Sequence, residues 1–137
     1  SMTHARLLSL ISALLFALCT VQAGAQGAAT SPNPRLEPQQ VVEAMLQALK
    51  KNSDQGIAEL YRFSSPKNRE VTGPLESFAV MIREGFPDML GHRAARLGPP
   101  LLDGDRAMIP VELQASDAQV VRYVILLSRQ NITECQG

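Results

Sequence analysis

Between Val41 and Ile82 the apolar residues recur every three or four positions, and between Ala107 and Leu127 they recur every second one. These are the face repeats of a helix and of a strand, so this change of period constrains the fold more than any other feature. A chain that switches once, helices first, builds an α+β domain with helices against one face of an antiparallel sheet. At 137 residues there is room for one such domain.

The helical half divides at turn signals. Glu37 can cap a helix with Pro38 at its first position, where the missing N–H costs nothing. Val41, Val42, Met45, Leu46 and Leu49 then share a face opposite Gln39, Gln40, Glu43, Gln47 and Lys50, which predicts a helix of about 13 residues. Asp54 is placed to cap a second, shorter helix carrying Ile57, Leu60 and Tyr61. Pro66 and Asn68 break that helix, and the polar run around Lys67, Arg69 and Glu70 reads as a loop, with a ligand rim as the other reading. Gly73, Pro74 and Glu76 then fit the start of a third helix with Leu75, Phe78, Ala79 and Ile82 on one face.

After Gly85 the helical repeat stops. "GFPDMLGH" reads as a loop that tucks Phe86, Met89 and Leu90 under the third helix, and "HRAARLGPP" as a weak strand ended by Pro99 and Pro100. "DGD" at 103–105 is a turn signal. Ala107, Ile109, Val111 and Leu113 alternate with Met108, Pro110, Glu112 and Gln114, a half-buried strand in which Pro110 implies an edge or a bulge. Val120 to Leu127 is apolar on both faces apart from Arg122, as a central strand would be. Three helices followed by an antiparallel meander of at least three strands is the expected order.

The first 25 residues stand outside this pattern. His4 and Arg6 precede the apolar run Leu7–Val21 and the small-residue stretch "QAGAQG", which together have the form of a signal peptide cleaved after Ala25. Fifteen residues are short of the roughly 20 that span a bilayer, so no stable membrane span is expected after cleavage. Residues 26–36, small, polar and proline-bearing, read as a flexible linker, and 37–137 as the folded domain. The expected location is therefore the periplasm or the extracellular space, or a plastid lumen in a photosynthetic eukaryote. Lys plus Arg and Asp plus Glu both number 13. Without a basic excess, nucleic acid is not an expected partner. Cys19 would leave with the signal, so Cys135 is an odd exported thiol, which points to an intermolecular bridge, a free thiol or, the favoured reading, a partner cysteine beyond this chain's end. Two histidines and no Cys/His cluster predict no zinc site. "NIT" at 131–133 matches a glycosylation sequon, which chance also produces.

"VVEAMLQALKKNS", "LYRFSSPKNREVTGPLESFAVMI" and "MLGHR" together are similar to the uncharacterised family called domain of unknown function 4864, over roughly residues 37–130. The most specific stretch is S-P-x-N-R-x-x-x-G-P-L-x-x-F, Ser65 to Phe78. The order of elements also resembles the cystatin-like, SnoaL-like cone of nuclear transport factor 2 and ketosteroid isomerase. What the resemblance implies is N-terminal helices packed on a curved antiparallel sheet, closed by a last strand with Cys and Trp beyond Gly137. It implies no activity, because the family has none assigned.

A cone of that type encloses a pocket between sheet and helices, and Tyr61, His92, Arg122 and Tyr123 are the candidates to line it. Each has a plainer reading. Tyr61 fits the core with its hydroxyl at the rim, Tyr123 points into pocket or core, and His92 fits a hydrogen-bonded or surface loop. An isomerase-like reaction needs a buried carboxylate as base. Glu112 falls on the polar side of its strand and Asp88 is only partly suited. No Ser-His-Asp order, phosphate loop or dinucleotide fingerprint occurs, and no cofactor is expected. The reading is a noncatalytic ligand-binding or protein-assembly module, with a small apolar ligand or a homodimer as partner. The alternative is a SnoaL-like enzyme or small-molecule carrier using Tyr61, Tyr123 and Asp88, so catalysis is left open.

Overall fold

The computed structural model of the protein describes residues 4–8, 31–33 and 35–129. The cleavage position after Ala25, the "NIT" run and Cys135 lie outside the described residues. Four helices pack against one side of an antiparallel sheet, with the helices N-terminal to the strands. This is the α+β layout expected from the change of period. No helix among the described residues is long and apolar enough to cross a membrane.

Helix α1 (Pro38–Lys50) starts where expected. Glu37 donates its amide to Gln40 Oε1 at 2.8 Å, which satisfies one of the N–H groups a helix start leaves orphaned. Its apolar stripe is buried throughout. Leu36 packs against this core and Ser31 Oγ accepts from Arg62 Nη2 at 3.2 Å, so contacts with the helices begin within residues 26–36. Helix α2 (Asp54–Tyr61) is capped by Ser53 and not, as the sequence suggested, by Asp54. Ser53 is extended and its Oγ accepts from the Gly56 amide at 3.0 Å, while Asp54 is already helical, where its charge suits the dipole.

The expected loop after α2 is instead a further helix, α3 (Pro66–Thr72). Ser65 caps it through the Asn68 amide at 3.1 Å, and Pro66 occupies the first position as Pro38 does in α1. Gly73 closes α3 with φ +82°, a left-handed conformation that glycine adopts without strain. It is therefore a stop and not the expected start. Helix α4 (Leu75–Gly85) follows directly, burying Phe78 and Ile82, and a 3₁₀ turn at Pro87–Met89 buries Met89.

The antiparallel strands are β2 (Ala94–Leu97), β3 (Leu101–Asp103), β4 (Arg106–Gln114) and β5 (Val120–Ser128). β4 is central, with β5 on one side and β2 and β3 in succession on the other. On the far edge of β5 the backbone of β1 (His4–Leu8) runs parallel to it. Leu97 lies opposite Val111 and Leu101 opposite Met108, so residues 98–100 face only residues 109–110. One extra residue makes a bulge there. The Gly98 amide donates to the Pro110 carbonyl at 2.8 Å, so the side of Pro110 that lacks an N–H faces the break and no ladder bond to β5 is lost. A Cβ on Gly98 would lie 2.9 Å from Pro110 Cγ.

Candidate functional site

Residues Ser65 to Phe78, the most distinctive run in the sequence, form a clasp between α2, α3 and α4. Tyr61 donates its hydroxyl to the Gly73 carbonyl at 3.0 Å. The Arg69 guanidinium lies 4.5 Å above the Tyr61 ring and donates to the Tyr61 carbonyl at 3.1 Å. Phe78 meets the same ring at 5.0 Å, tilted by 57°. Thr72 Oγ1 donates to the Asn68 carbonyl at 3.0 Å. Ser65, Pro66, Arg69, Gly73 and Phe78 thus each help to hold the chain's course between helices.

The four candidate residues do not converge on one cavity. Tyr61 is half-buried in the clasp. His92 is buried, not on the surface, in the turn between the 3₁₀ helix and β2. Its Nδ1 is 2.8 Å from the Met89 carbonyl, which can only accept, so the neutral ring carries its proton on Nδ1. Burial pushes the His92 pKa below its ordinary value; the Met89 hydrogen bond opposes this and Lys50 adds to it. Tyr123 takes the core alternative: it is 1% exposed, its ring 6.2 Å from Phe86 under the helices. Arg122 is on the opposite side of the sheet. Asp88 is half-buried in the 3₁₀ turn, and no Asp or Glu among the described residues is buried.

That opposite side, the outer face, carries what the sequence did not assemble. The register sets its residues in rows across β2 or β3, β4 and β5: Asp103–Arg106–Ser128, then Leu101–Met108–Leu126, then the break beside Pro110–Val124, then Arg96–Glu112–Arg122. Leu101 is 65% exposed and Met108 40%, while Val124 and Leu126 are half-buried. Glu112 accepts from Arg96 Nη2 at 2.8 Å and from Arg122 Nη2 at 3.1 Å. Hydrogen bonds from Arg122 and then Arg96 hold the Glu112 carboxyl below its usual range. A mainly apolar groove of about 410 Å³ crosses this face between Arg96, Leu97, Gly98, Pro110, Arg122 and Val124. The alternation of Met108, Pro110 and Glu112 had marked one side of β4. The one-residue bulge that brings Leu101 and Arg96 onto the same side left no signal in the sequence.

The family model for a domain of unknown function (DUF4864) matches residues 33–134. The chain belongs to the DUF4864 family. The match takes in every element from α1 to β5, so the DUF4864 unit includes both the helix clasp and the outer sheet face. No curated protein and no solved structure matches this DUF4864 chain.

Proposed function

We propose that the protein is an exported, noncatalytic assembly module whose contact surface is the outer face of the sheet. The observation that carries this reading is the contrast between the two faces. On the helix side, Ile109, Val111, Leu113, Val121, Tyr123 and Ile125 are all at most 2% exposed. Aliphatic side chains and the Tyr123 ring already fill those positions, and the carboxylate that proton abstraction would require is not among them. The outer face instead leaves two apolar rows open to water, flanked by charged rows. That layout resembles a protein interface, apolar at the centre and polar at the rim. Export rests on the charged start, apolar run and small-residue stretch of the first 25 residues.

The groove supports a second reading, because its volume and apolar lining suit a small apolar ligand. Native mass spectrometry of the protein, purified from its own host's export compartment, separates the two. A dimer or a complex with another protein, carrying no small molecule, is the expected result. A stoichiometric small molecule on a monomer would overturn the assembly reading.

A further inference from the structure

Taking the assembly reading as its basis, the geometry points to a second copy of this chain as the partner, in one specific arrangement. We propose that two outer faces stack about a two-fold axis that lies in the interface and runs across the strands, between the Met108 and Pro110 rows. The β4 strands of the two copies then lie over one another in opposite directions.

The rows decide this. Such an axis keeps each strand column over its own counterpart and reverses the order of rows. The row Leu101–Met108–Leu126 meets the partner's Pro110 and Val124, so the apolar rows of both copies form one shared centre. The outer rows meet as well, and each position finds a counterpart it can pair with. Asp103 faces the partner subunit's Arg96, Arg106 faces the partner subunit's Glu112, and Ser128 faces the partner subunit's Arg122. With Asp105 in the adjoining turn, these rows hold three acids, Asp103, Asp105 and Glu112, against three bases, Arg96, Arg106 and Arg122. The other in-plane two-fold axis, along the strands, would put Glu112 on Glu112 and Arg106 on Arg106. Like charges brought together on desolvation oppose association, so that arrangement is disfavoured. Both axes bury the same apolar rows, and the charges select between them.

The intramolecular partners are different residues: Arg96 pairs with Glu112, and Asp103 lies across from Arg106. A charge test therefore reads the contact between copies. Sedimentation equilibrium of the full chain is expected to show a dimer. Arg96→Asp alone and Asp103→Arg alone each create two repulsive contacts per homodimer, and each should weaken dimerisation at least about tenfold. An equimolar mixture of the two variants restores both contacts as attractive pairs. It should re-form a heterodimer within about threefold of the wild-type affinity. Both sites are exposed, so circular dichroism should show all variants folded. A dimer indifferent to both substitutions, or a mixture that stays weak, would overturn the stacked arrangement while leaving assembly in place. A wild-type monomer would overturn self-association. The assembly reading would then stand or fall separately, on whether native mass spectrometry finds a different protein bound.

Discussion

Single residues of this chain show how little separates a structural role from a chemical one. Tyr61 has the aromatic ring and hydroxyl of a ligand-binding residue, yet the Gly73 carbonyl uses its donor and Arg69 and Phe78 cover its ring. Tyr61→Phe leaves the ring contacts and removes one half-buried hydrogen bond. It should lower stability by about 1 kcal/mol in urea unfolding. His92 gives a pH effect whose sign follows from burial. Its pKa in the folded chain lies below the ordinary 6.5, so the unfolded chain binds the proton more readily. The contribution to stability is full above 6.5 and is lost as pH falls from there toward the lowered value. The urea midpoint should therefore drop between pH 7 and pH 5.5, and His92→Asn should flatten that slope. A slope unchanged in the variant would place its origin elsewhere.

At the scale of elements, the helices were legible wherever they bury a stripe and illegible where they do not. α1 buries six of its residues and was predictable to its first position. α3 buries none, and its Val71 is 82% exposed, so no periodicity announced it. Its only signal was local: Ser65 and Pro66 repeat the cap-and-proline start of Glu37 and Pro38, but Pro66 also fits a helix stop. The strands were legible from their alternation. The outer-face rows were not, because a bulge at residues 98–100 shifts β3 by one residue and exchanges its faces. Close packing between elements also yields a prediction. A Cβ on Gly56 of α2 would lie 2.4 Å from the Ala48 carbonyl oxygen of α1, a backbone atom that can move only with its helix. Gly56→Ala should cost roughly 2 kcal/mol or more and lower the thermal midpoint, despite alanine's better helix propensity.

Across the whole molecule, the two faces of the sheet divide the work. The helix side holds the domain together, with β4 and β5 each burying four alternate side chains under α1, α2 and α4. The outer side is less buried, and it is the face that the proposed contact would use. Val124→Glu tests that division. It should cost the fold no more than about 1 kcal/mol, since the position is half-buried at most, yet abolish association on the native mass spectrum. Equal loss of both would mean that the outer face is part of the folding core. The bulge at Gly98, Pro99 and Pro100 has a last consequence at this scale. It divides the strand alongside β4 into pieces of four and three residues, with two prolines that cannot donate to a neighbour. A strand from another chain finds too short a template there to prolong the ladder. Growth into fibres by edge-to-edge addition is thus blocked on this side, and the proposed two-fold contact, made face on, would close at two instead of propagating.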